Sequence, residues 1–240
     1  MDAVPNPQQG SFPLFNFKGI QVSLHWSWLI VAWWQVERSQ NLRGYPSVIW
    51  PVYEYLALFG IVLLHEFGHA FATRQVGGTS ENILLWPFGG IAYVNAPPRP
   101  GAHLWSIAAG PLVNVALVPV LWAAVWWAGQ HVESRALHEL LVNISRVNLG
   151  LLIFNILPIY PMDGGQILQA LLWFKLGYAR ALLIASGVGL VGGAALMIWA
   201  FSIIEGFSMI PLLLVFLLIG AWSSFQRARR MLAEGFPRDL

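Results

Sequence analysis

His65-Glu66-Phe67-Gly68-His69 is the stretch of this 240-residue chain where residue types and spacing most directly permit chemistry. On a helix, positions i and i+4 lie on one face, so both imidazoles could grip one metal ion with Glu66 beside its open position. A catalytic zinc normally takes three protein ligands and a water. The chain has no cysteine, so a third ligand must be a carboxylate or another histidine. Of its three aspartates, Asp2 and Asp239 lie at the termini and Asp163 alone is interior. It sits in Asn155-Ile156-Leu157-Pro158-Ile159-Tyr160-Pro161-Met162-Asp163-Gly164-Gly165. Asp163 has two readings at this point: a metal ligand, or the N-cap of the helix expected over 164–176. The two histidines could equally be satisfied by polar neighbours in a bundle. Against that stands their setting, since ionisable groups inside an apolar segment are costly and usually functional.

These residues must be positioned by elements that live in a membrane. Apolar residues make up 57% of the chain and charged ones 10%, against roughly a quarter charged in a soluble domain. Mean hydropathy is +0.62. Thirteen basic and eleven acidic groups are too few to solvate a surface of this size, and a net charge of +2 drawn from so few does not indicate nucleic-acid binding. The absence of cysteine excludes disulfides, thiol nucleophiles and thiolate metal sites. Thirteen tryptophans suit a chain at lipid–water boundaries. Residues 1–18 carry three prolines and no basic segment ahead of an apolar run, so they do not read as a cleaved signal.

About 20 apolar residues cross a bilayer. Runs that meet or approach this length predict an all-α polytopic membrane protein with six spans, near 24–36, 47–76, 104–130, 137–160, 179–204 and 206–226, as one domain over 1–240. The second span carries His65, Glu66 and His69. Six spans put both termini on one side. Lys18, Arg74, Arg99, Lys175, Arg180, Arg227, Arg229, Arg230 and Arg238 then face that side against Arg38, Arg43, Arg135 and Arg146 opposite, which predicts cytoplasmic termini in a cell membrane. Arg74 and Lys175 are the charged residues nearest the candidate site in sequence, so access is expected from the cytoplasm. Arg227–Arg230 reads as a headgroup anchor. Gly189 and Gly193 form a close-packing motif that could sit against the fourth span or act as a hinge.

Between the second and third spans, 83–94 reads as two short strands broken by Pro87, Gly89 and Gly90. Backbone this apolar is tolerable at membrane depth only where protein buries it or it lines a cavity. A membrane-inserted hairpin beside the candidate site is therefore expected.

The order of these motifs resembles the site-2 protease family of intramembrane zinc metalloproteases. The resemblance runs from His25-Trp26-Ser27-Trp28 through H-E-x-x-H, Pro87-Phe88-Gly89-Gly90 and Ala109-Gly110-Pro111-Leu112-Val113-Asn114 to the Asn155–Gly165 pattern. It implies that His65, His69 and Asp163 ligate one zinc per chain and that Glu66 is the general base. It further implies that Asn114 and Asn155 hold substrate or an oxyanion, and that the Pro87–Gly90 loop offers an edge to an unwound substrate strand. Interhelical hydrogen bonding is the alternative use for both asparagines. The implied partners are the lipid bilayer and a single-span membrane protein cleaved in or near its transmembrane segment. A minimal core without an inserted PDZ domain or a regulatory nucleotide-binding pair is expected. The rival readings are a membrane zinc transporter or sensor, which needs the ligands but not a base, and an inactive scaffold.

Overall fold

In lipid, only an internal hydrogen-bond ladder satisfies the backbone, so the long apolar runs become helices. A computed structural model of the chain describes residues 10–43, 45–86, 89–203 and 210–235. Its elements are β1 (Ser11–Phe17), β2 (Ile20–His25), α1 (Ser27–Arg43), α2 (Ile49–Gln75), β3 (Thr79–Trp86), β4 (Gly89–Asn95), α3 (Pro100–His131), α4 (Arg135–Ile156), α5 (Asp163–Leu176), α6 (Tyr178–Ile203) and α7 (Ile210–Ala233). Among the described residues, five helices are long and apolar enough to span: α2, α3, α4, α6 and α7. Val191 and Ile198 are 74% and 73% exposed, an arrangement that water would penalise and acyl chains accept. The protein is an integral, multi-pass membrane protein.

The structure departs from the expected six spans at α1, the one read as shortest. This helix has 17 residues and carries Glu37, Arg38 and Arg43 in its second half, which leaves its apolar part too short to qualify with the other five. A larger departure is the sheet. The expected hairpin is present as antiparallel β3 and β4, but it belongs to a four-stranded sheet in the order β1-β2-β3-β4. The fold is therefore not all-α with a lone hairpin. Lys18 and Gly19, both at positive φ (50° and 75°), form the two-residue turn that joins β1 to β2. Ile20, Val22 and Leu24 alternate inward from β2, which pairs parallel with β3 across the α1–α2 crossover. These side chains pack with Phe67 and Ala70 of α2 and with Ile83 and Leu85 of β3, which seats the sheet on the helix that carries the histidines. Arg74, at the end of α2, donates to the carbonyls of Lys18 (2.6 Å), Gly19 (3.0 Å) and Ser80 (3.0 Å), tying the β1–β2 turn to the start of β3.

Two close approaches set the geometry around α2. Gly68 faces α3, where an added Cβ would stand 2.7 Å from the Ala109 carbonyl oxygen and 2.9 Å from Val113. Small residues at such crossings let backbones meet. After α4 the chain breaks at residues 157–162, where Pro158 and Pro161 cannot continue the ladder. That irregular segment is covered by the α6–α7 pair. Gly189 has its Cβ position 2.6 Å from the Tyr160 oxygen, and Gly220 stands 3.1 Å from Pro161. In the glycine motif of the fifth predicted span, Gly189 thus packs on the segment that leads into Asp163, while Gly193 faces Leu218 of α7.

Substituting Gly68→Val should destabilise the protein by about 1–3 kcal/mol through overpacking. Gly60→Ala, where nothing lies within 4 Å, should be neutral or slightly stabilising. Thermal unfolding of both variants in detergent checks the contrast.

Candidate metal centre

Two helices bring the donors together. His65 and His69, one turn apart on α2, present Nε2 atoms 3.1 Å from each other, with ring planes at 84°. Asp163 is the first residue of α5, and its carboxylate faces them. Oδ2 lies 3.1 Å from His65 Nε2 and Oδ1 lies 3.5 Å from His69 Nε2. One donor atom from each residue falls within 4.8 Å of the other two. The capping alternative for Asp163 does not hold, because Met162 occupies the N-cap and Asp163 opens the helix proper. Its charge still gains from the α5 N-terminus. Gly164 and Gly165 have no room for a Cβ against residues 156–160, so Asp163 reaches the histidines only because two glycines follow it.

The hydrogen bonds decide which imidazole nitrogen is free. His65 Nδ1–H donates to Asn114 Oδ1 at 2.6 Å, and His69 Nδ1–H donates to the Ser106 carbonyl at 2.9 Å. The Asn114 amide is oriented in turn, since its Nδ2 donates to Asn148 Oδ1 (2.8 Å) and Asn148 Nδ2 donates to the Asn114 carbonyl (3.0 Å). Both asparagines are fully buried. With Nδ1 holding the proton on each neutral ring, both Nε2 atoms carry lone pairs, and these face each other and a carboxylate. Three acceptors converging in a buried space repel one another unless a cation lies between them. Two imidazoles and one carboxylate, oriented by further hydrogen bonds, match in type and number the donors that a catalytic zinc takes from protein. The residues present fit zinc.

Glu66 is also buried beside this group, and its Oε2 accepts from the backbone N–H of Ala92 in β4 at 3.0 Å. Gly90 permits that approach, because a Cβ there would overlap the Glu66 side chain. Gly110 does the same for α3, whose backbone lies against the His65 and His69 rings.

Of the residues singled out from the sequence, His65, Glu66, His69, Asp163 and Asn114 are drawn to one point, and Gly90 borders it. Gly89 and Gly90 open β4 rather than lying in a loop, while Pro87 and Phe88 fall outside the described residues. Asn114 has both side-chain groups engaged, by His65 and by Asn148. Asn155 is half-buried near the end of α4. Asn148, the Ser106 carbonyl and the Ala92 N–H were not foreseen. An amide in the apolar stretch of α4 was the available signal for Asn148. No sequence signal marks a particular backbone group.

Comparison with known proteins agrees with this geometry. The model of Peptidase family M50 matches residues 53–138 and 123–198. The chain is 33% identical over 211 residues to a zinc metalloprotease of Methanocaldococcus jannaschii, an alignment that covers 88% of this chain and 59% of that protein. It therefore spans less than two thirds of the length of that relative. Among solved structures, the site-2 protease from Methanocaldococcus jannaschii superposes with a TM-score of 0.66 at 29% identity, covering 90% of this chain and 95% of that one. With the family model matching more than half of the chain and this relative aligned over most of it, the chain belongs to peptidase family M50, the site-2 protease family.

Proposed function

We propose that the protein is an intramembrane zinc endopeptidase that hydrolyses peptide bonds in or near the transmembrane segment of single-span membrane proteins. The observation that carries this reading is the placement of Glu66. A transporter or sensor needs the three donors, but it has no use for a buried carboxylate beside them and in contact with a strand edge.

His65, His69 and Asp163 would hold the ion. When bound, zinc supplies Lewis acidity toward a peptide carbonyl and toward water. Glu66 takes a proton from the attacking water and returns it to the leaving amine. Asn114, backed by Asn148, keeps His65 in the tautomer that offers Nε2, and the Ser106 carbonyl does so for His69. A helical substrate hides its carbonyls in i→i−4 bonds and must unwind before attack. Pairing with β4, the edge strand of the sheet, would re-satisfy the exposed backbone. The Pro87–Gly90 segment would then lie at one end of that pairing.

The topology that suits this reading keeps α1 as a shortened first crossing, about 26 Å long at 1.5 Å per residue. Both termini are then cytoplasmic, with the Arg227–Arg230 cluster among the headgroups of a cell membrane and the β3–β4 hairpin dipping in from that side.

Glu66→Gln should retain zinc and lower cleavage of a model transmembrane segment by about 10²–10⁴-fold. Asp163→Asn should lose both. Zinc content and cleavage measured on the same preparations separate the readings. Parent-like cleavage by the glutamine variant would exclude the protease, and a carrier would show no cleavage with either chain. Asn148→Ala, which touches no donor atom, should weaken zinc binding by about 10–100-fold in chelator competition, because the amide that orients His65 loses its own support.

A further inference from the structure

A cavity of about 430 Å³ lies at the far end of β4, walled by Val94, Ala96, His103, Ser106, Gln166 and Trp173 among others. It adjoins the metal centre through two helices. On α3, the Ser106 carbonyl accepts from His69 while its side chain lines the cavity. On α5, Gln166 follows Asp163 by about one turn. Ser106 is 1% exposed, and among the described residues neither its buried hydroxyl nor the buried Nε2 of His103 has a hydrogen-bond partner. Buried polar atoms left unpaired in a wall mark a place where a ligand group is needed.

The rest of the wall is apolar and aromatic. Trp173 meets Tyr178 edge-on at 4.8 Å between ring centroids and His103 at 6.0 Å, and all three rings border the cavity. Among the described residues, neither a carboxylate nor a Lys or Arg lines it, so the occupant is neutral. Aromatic walls favour an aromatic body in edge-to-face contact. The unpaired hydroxyl and imidazole call for a hydrogen-bonding tip.

The position of the cavity along β4 says which substrate residue arrives there. Ala92, whose N–H meets Glu66, marks the reacting bond, and residues two apart on a strand offer their backbone to the same edge. Val94 and Ala96 lie about 7 and 13 Å further on, at roughly 3.3 Å per residue. β4 runs from Gly89 toward Asn95, so a strand added antiparallel to it sends its N-terminal side into the cavity. We infer that this cavity is a specificity site that receives a tyrosine or tryptophan side chain two to four residues N-terminal to the scissile bond. The inference rests on the endopeptidase reading above and names a substrate feature for that same site.

The test uses the full-length, zinc-loaded protein and a model transmembrane segment whose cleavage site has been mapped. Ala, Leu, Phe, Tyr, Trp and Glu are placed in turn at the second, third and fourth positions before the cut. Tyr or Trp at one of these positions should raise kcat/KM by about tenfold over Ala, with Glu the poorest. Ala96→Trp, which fills the cavity from a half-buried loop position, should erase that preference while the Ala segment is still cut. His103→Phe, which removes the unpaired ring nitrogen at a residue outside the metal centre, should narrow the gap between Tyr and Phe at unchanged zinc content. Because the chain lacks cysteine, Ala96→Cys in a Glu66→Gln background gives a single thiol. It should cross-link only to segments bearing cysteine at those same positions. Cleavage indifferent to these residues, or cross-linking confined to the C-terminal side of the cut, would overturn the cavity assignment and leave the endopeptidase reading standing. Failure to cut any segment would instead overturn the endopeptidase reading and, with it, the cavity assignment.

Discussion

Three acceptors that face one another in a buried space are the constraint on which the rest of this structure depends. His65 Nε2, His69 Nε2 and the Asp163 carboxylate are held a few ångströms apart in a buried space. That arrangement is unfavourable for the apo chain and favourable once a divalent cation neutralises it. The protein must therefore hold the donors by other means, and the Nδ1 partners do this work. Asn114 and the Ser106 carbonyl each fix one ring, and Asn148 fixes Asn114. An interhelical hydrogen bond between amides, the ordinary use of asparagine in membrane bundles, here becomes part of the metal centre at one remove.

Bringing α2, α3 and α5 to one point also needs close backbone contact, because each crossing must leave the rings and the carboxylate only a few ångströms of separation. Gly68 and Gly110 supply it between α2 and α3, and Gly164 and Gly165 let α5 begin against the segment it has just left. The break at residues 157–162 has the same logic. A continuous helix would carry Asp163 past the histidines, whereas an irregular turn re-aims the chain and starts α5 at the site. Irregular backbone is costly in lipid unless protein covers it, and the small residues of α6 and α7 form that cover.

The sheet adds a second requirement. Core packing of Ile20, Val22, Leu24, Ile83 and Leu85 against α2 holds β4 so that the Ala92 N–H reaches Glu66. The strand that contacts the carboxylate is also an edge strand of the sheet.

Much of this was legible in the sequence because it rests on local rules. Helical spacing puts His65 and His69 on one face, lack of cysteine restricts the third ligand, and hydropathy finds the long helices. Pro158 and Pro161 announce the break before Asp163. Less legible were features whose cause is non-local. The β1–β2 hairpin carried a turn at Lys18-Gly19 and alternation at Ile20, Val22 and Leu24, yet its strands gain stability only by pairing with β3, some sixty residues later. Asn148 is one amide in an apolar helix until Asn114, 34 residues away, is folded against it. The sequence by itself determined which side chains can bind a metal and which segments prefer lipid, since residue type and local period decide both. Only the tertiary structure decided that Asp163 opens its helix rather than capping it, that Asn114 serves His65, and which backbone groups complete the site. Those outcomes depend on the distance between elements, and distance is set by packing.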